Sequence, residues 1–224
     1  MGAAILVIRD AVARARGRWL AVSLGFVVAY YAGLLLFTML RFAEVPNYVE
    51  FHDLLGTYRL ILDGTPVWSD RLPILLDEPW FETGYKNPHY YGVATWSYML
   101  IPPRMLLVFL AGALLATVAV LARYGQEHGR GCPASPARAY TAAGFGSALV
   151  GLTSATLTWV VCCASPTWVV ALAMLGMSAS LALWLEPLGK VLLVLGLLVF
   201  AGAIAQQLRA LTTRRSAHLA WETR

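Results

Sequence analysis

The sequence predicts an all-α integral membrane protein of about five transmembrane helices, with a long external loop, residues 41–103, between the first and the second. Three observations carry this. Hydrophobic residues make up 59% of the 224-residue chain and charged residues 13%, against about a quarter charged in soluble domains. The apolar residues are blocked into five runs, residues 19–40, 104–122, 141–161, 167–185 and 188–208, each near the ~20 residues that cross a ~30 Å hydrocarbon layer as a helix. No run carries a charge in its middle.

Residues 1–18 form a basic N-terminal segment. Arg9, Arg14, Arg16 and Arg18 precede the first run, whereas the loop 41–103 holds most of the acidic residues. Basic residues collect on the cytoplasmic side of membrane spans, so the N-terminus is expected inside and the loop outside. The formal charge of +5 is thereby spent flanking apolar spans, which removes nucleic acid from the expected partners. The alternation of Ala and Arg before Trp19 suits either an amphipathic helix on an anionic leaflet or a solvated tail. The run that follows exceeds a signal-peptide core, so it reads as a retained anchor.

Residues 19–122 form a two-helix module. Within its first span, Gly25, Ala29 and Gly33 recur every fourth residue, placing three small side chains on one face where another helix can approach closely. The loop 41–103 is too long to lack elements of its own. A helix-period stripe over residues 49–62 and an apolar body at Leu72–Leu76, capped by Ser69 and interrupted by Pro73, predict two short helices on the outer membrane surface. The aromatic stretch from Trp80 to Tyr98 reads as a collar at the water–lipid boundary. Pro102-Pro103 opens the second span, and Arg104 at its mouth is placed to reach headgroups.

Residues 123–140 read as a cytoplasmic loop containing Cys132, residues 141–208 as a three-helix module, and residues 209–224 as a basic tail. Five crossings put the C-terminus outside, while Arg209, Arg214, Arg215 and Arg224 favour the inside. Five is preferred to four with a re-entrant segment, because every run has spanning length.

Cys162 and Cys163, between the third and fourth runs, can offer two sulfur ligands to a soft ion such as Hg(II), Cu(I) or Zn(II), because thiolate is the binding form and metal displaces its proton. Packing of two small apolar side chains is the plain alternative. Around this pair, Ser154, Cys162-Cys163-Ala164-Ser165-Pro166, Leu175-Gly176 and Leu185-Glu186-Pro187 resemble the three-helix mercuric-ion transport proteins of bacterial resistance systems. The resemblance covers residues 147–207. It implies soft-metal transport through Cys162 and Cys163 in a bacterial inner membrane. Those proteins commonly add a second cysteine pair on the cytoplasmic side, which the turn at residues 186–190 does not contain.

In the external loop, His52, Asp53, Asp77, Glu78, Glu82 and His89 could serve a hard or borderline cation. No two of them have a recognised ligand spacing, so a solvated acidic surface is the leading reading. Catalysis has no recognisable motif here, since phosphate-cradling glycines, a nucleophile elbow and a zincin helix are all missing from the sequence. The rival to transport is a non-catalytic subunit of a larger membrane complex, respiratory, photosynthetic or a membrane oxygenase. It would hold its neighbours through Gly25, Ala29 and Gly33 and through the external loop.

Overall fold

A computed structural model of the protein describes residues 2–89, 94–128, 136–154, 157–159 and 188–222. The helices are α1 (Gly2–Arg14), α2 (Arg16–Phe42), α3 (Leu54–Gly64), α4 (Trp68–Asp77), α5 (Pro102–His128), α6 (Pro136–Thr153) and α7 (Leu188–Glu222). The strands are β1 (Tyr48–Phe51), β2 (Phe81–Lys86), β3 (Ala94–Leu100) and β4 (Leu157–Trp159). Among the described residues, three helical stretches are long and apolar enough to cross a membrane: Arg16–Phe42, Pro102–Tyr124 and Val191–Arg209. They carry exposed apolar residues such as Leu24, Val28, Leu106, Val191 and Leu198, faces that water would penalise and lipid would not.

These three correspond to the first, second and fifth expected spans. The expectation of five is not met. Helix α6 ends at Thr153, and Leu157–Trp159 is a strand, so residues 141–161 are not one crossing helix. The sequence of residues 153–158 is rich in Ser and Thr, both poor helix formers, and threonine is a β-branched residue that favours a pleated strand. Residues 167–185, and with them Cys162 and Cys163, lie outside the described residues, as does Cys132.

The chain divides into two compact units. The helical unit comprises Met1–Val28, Phe109–Gly151 and Val191–Arg224. Ala111, Val118, Val150, Phe200 and Ala203 form its buried core. Helices α6 and α7 meet at glycines: a Cβ on Gly146 would stand 3.1 Å from the Gly196 carbonyl oxygen, and one on Gly196 would stand 3.0 Å from Val150. Close backbone approach at small residues is how helices associate where lipid removes the hydrophobic drive. The indole nitrogen of Trp19 donates to Thr117 Oγ1 at 3.0 Å, and that hydroxyl donates to the Ala113 carbonyl at 2.7 Å, so both of these half-buried polar groups have partners.

The sheet unit comprises Ala29–Val108 and Leu152–Lys190. It overturns the all-α expectation. The four strands form an antiparallel meander in the order β1-β2-β3-β4. The stretch expected to be an aromatic collar is instead the hairpin β2–β3. Phe81, Thr83 and Tyr85 alternate with Glu82, Gly84 and Lys86, and Trp96, Tyr98 and Leu100 alternate likewise, which is the two-residue period of a half-buried strand built from aromatic and β-branched residues. Trp96 and Tyr98 are buried against Tyr31, Leu34, Leu35, Phe37 and Phe42 of α2. The Trp96 ring stacks on Phe42 with centroids 6.4 Å apart. Tyr98 packs edge-on to Tyr31 and its hydroxyl donates to the Tyr31 carbonyl.

The two short helices of the long loop are present as α3 and α4, with different boundaries from those expected. Residues 48–51 pair with β2 and so leave the helical stripe. Asp53 then caps α3 by accepting the Leu55 amide at 3.2 Å, satisfying an amide the first turn cannot. Helix α4 starts at Trp68, after Val67 and ahead of Ser69, and Pro73 lies inside it. Arg104 donates to Asp77 at 2.7 Å and only 19% of its side chain is exposed, so it closes an ion pair where headgroup contact was expected.

Helix α2 ends at Ala43, which adopts φ 54°, a left-handed conformation that stops the helix but crowds a Cβ. Ala43→Gly is expected to stabilise the protein by about 1 kcal/mol, read as a raised unfolding temperature in detergent; an unchanged or lowered temperature would contradict this account of the cap.

Candidate metal centre

The antiparallel sheet has one face against α2 and one facing outward, the usual division for such a sheet. Register decides what the outward face carries. Tyr48 lies opposite Gly84, and Glu50 lies opposite Glu82. Two carboxylates directly across an antiparallel pair repel and would weaken it unless a cation compensates. His52, two residues beyond Glu50, continues the ladder by donating its backbone N–H to the Trp80 carbonyl at 3.0 Å.

Glu50, His52 and Glu82 each offer a ligand atom within 4.8 Å of the others. His52 Nε2 is 3.5 Å from Glu82 Oε2, while two ligands of one tetrahedral zinc stand about 3.4 Å apart at bond lengths near 2.1 Å. One imidazole and two carboxylates form a donor set for a borderline divalent ion such as Zn(II), Cu(II) or Mn(II). A set of this kind leaves a fourth position for water or a further ligand.

Glu82 is the anchored member. Its side chain is 16% exposed, and its Oε1 accepts the Tyr48 hydroxyl at 2.6 Å. Burial, then that hydrogen bond, push the Tyr48 phenol above its ordinary pKa. Tyr48 therefore remains a donor and fixes the carboxylate that would ligate, the role outer-shell partners play around metals. Tyr48 can lie across β2 because Gly84 has no side chain: a Cβ there would be 3.0 Å from the Tyr48 oxygen and 2.2 Å from the Trp96 carbonyl oxygen.

Glu50 is the exposed member. It pairs with Lys86, whose ammonium also stands 4.1 Å from the centre of the Tyr48 ring, a cation–π contact. The hydrogen bond from Lys86 holds the Glu50 carboxyl below its ordinary pKa. Lys86 is itself placed by Asn47, whose side chain accepts the Lys86 amide and donates to the Lys86 carbonyl, both at 2.8 Å. Lys86 thus supplies part of the positive charge that the facing carboxylates require.

Of the six loop residues considered from sequence, the structure brings together His52 and Glu82 alone. Asp53 caps α3, Asp77 pairs with Arg104, and His89 sits in a turn where its amide donates to Asn87 Oδ1. Glu50 was not singled out from the sequence. The signal for it is Glu50-x-His52, two ligand types on one face of a strand, which is visible only once β1 is recognised as a strand. Gly25, Ala29 and Gly33 are exposed, and a Cβ on Gly25 or Gly33 would meet nothing within 4 Å. No protein-family model, curated protein or solved structure matches this chain.

Proposed function

We propose that this chain is a membrane-embedded metal-ion handling protein, whose sheet takes a borderline divalent cation at Glu50, His52 and Glu82 on the outer side of a bacterial inner membrane. The observation that carries the reading is the convergence of those three ligands across β1 and β2, with the two carboxylates opposed. On this reading the ion passes inward by way of the Cys162 and Cys163 thiols, since a softer sulfur pair can take a Zn or Cu ion from a nitrogen–oxygen site. The basic N-terminus and the acidic loop support the orientation.

Lys86 makes the reading testable. A divalent ion must displace its ammonium from Glu50. Lys86→Met is therefore expected to tighten Zn(II) or Cu(II) binding about tenfold, as the competing charge is gone. Glu82→Gln, which loses a ligand and the acceptor for Tyr48, is expected to weaken it at least about tenfold. Calorimetric titration of the purified chain with each ion reads both. Absence of saturable binding in the native protein and in Lys86→Met would sink the proposal and leave the cluster as an ion-pair network bracing the sheet.

A second reading, a subunit of a larger membrane complex, is favoured by the open stripe Gly25, Ala29 and Gly33 on α2. On this reading another subunit's helix packs there, and Gly25→Ile with Gly33→Ile is expected to release partners in mild detergent while leaving the chain's own folding intact, because each glycine faces open space. Mass spectrometry of the purified material checks this, and a native chain that purifies alone and monodisperse would end that reading.

A further inference from the structure

The helical unit contains a cavity of ≈ 390 Å³ that the metal reading does not involve. Three arginines, Arg14, Arg18 and Arg123, line it together with Tyr124. Its floor is made of small or apolar side chains, including Ala11, Ala15 and Val120, of which Ala11 and Val120 are buried.

The charge in this cavity is not balanced. Arg14 is neutralised within α1, donating through Nε to Asp10 Oδ1 at 3.2 Å and reaching Oδ2 through Nη2 at 2.9 Å. Its guanidinium also lies 5.9 Å from the centre of the Tyr124 ring. Arg18 and Arg123 have no carboxylate partner among the described residues. Two uncompensated guanidiniums therefore line one recess, and planar guanidinium forks match the oxygens of a phosphate.

The location selects the source of that phosphate. Arg18 lies in the first turn of the membrane-length helix Arg16–Phe42, and Arg123 and Tyr124 end the membrane-length stretch Pro102–Tyr124. Trp19 and Tyr124 pack on the same small core as Ala11, Val120 and Leu121, so both helix ends and α1 meet at one level. Leu20 and Leu24, within the next two turns of α2, are exposed and suited to acyl chains. Basic recesses at the ends of membrane helices recognise anionic headgroups in this way.

We propose that the recess between α1, α2 and α5 is a specific site for the phosphate headgroup of an anionic glycerophospholipid, held by Arg18 and Arg123 above an apolar floor. The test uses the full chain in detergent, titrated separately with phosphatidylglycerol, phosphatidylcholine and inorganic phosphate, with adducts counted by native mass spectrometry. One phosphatidylglycerol per chain is expected, at concentrations at least about tenfold below those needed for phosphatidylcholine. Arg18→Gln/Arg123→Gln is expected to weaken it about thirtyfold, roughly fivefold for each surface cation.

Gly17→Leu provides a variant that keeps the charge. Gly17 lines the cavity and a Cβ there meets nothing within 4 Å, so the leucine fills the recess without disturbing packing and should also abolish the preference for phosphatidylglycerol. Arg9→Gln, which removes a cation from α1 outside the recess, should leave it. Equal weakening by Arg9→Gln, unchanged binding in Gly17→Leu, or inorganic phosphate competing at the same concentration as the lipid would each overturn the proposal.

Discussion

Gly84→Ala is expected to unfold the sheet and abolish cation binding together. The added Cβ would stand 2.2 Å from the Trp96 carbonyl oxygen and 2.9 Å from the Ser97 Cα. Both are backbone atoms of the neighbouring strand, so no rotamer change relieves the clash, and β2 and β3 must part. A loss of about 3 kcal/mol follows, at the upper end for overpacking. The same Cβ would stand 3.0 Å from the Tyr48 hydroxyl and push it off Glu82. Denaturant titration in detergent reads the first effect and calorimetric titration with Zn(II) the second. Native stability in Gly84→Ala would mean that the β2–β3 register differs from Gly84 opposite Ser97.

Trp96→Ala separates the two faces of the same sheet. Trp96 is 1% exposed and stacks on Phe42, so truncation is expected to cost about 3–5 kcal/mol in lost burial and cavity. Because Trp96 lies on the face toward α2 while the ligands lie on the other, a fold that survives should retain its cation affinity, unlike Gly84→Ala. Trp96→Phe should be milder than volume alone suggests. The indole nitrogen is buried without a hydrogen-bond partner among the described residues, a cost of about 1–3 kcal/mol that phenylalanine does not incur. The unfolding free energy of Trp96→Phe against that of the native protein checks this; a loss as large as the lost ring volume alone predicts would mean that the indole nitrogen is satisfied in the folded protein.

The sequence by itself offered five runs long and apolar enough for a membrane, because a ~20-residue run free of charge is a one-dimensional property that needs no partner, and among the described residues the structure makes three of them membrane-length helices. The sequence also determined that the loop 41–103 contains α3 and α4, whose apolar residues recur at helical spacing. Only the tertiary structure decided the sheet. Trp96 and Tyr98 have the same composition in a lipid-boundary collar as in a strand, and what distinguishes them is burial against Tyr31, Leu34 and Phe42, which lie far off in the chain. The strand Leu157–Trp159 was decided likewise, since it pairs with β3, across the intervening helices α5 and α6. The candidate metal centre depends on register: Glu50 and Glu82 face each other because β1 pairs with β2 without slip, and a shift of one residue would move every side chain to the opposite face. Pattern along the chain specifies which segments leave water. Pairing across it specifies which charges must then share a site.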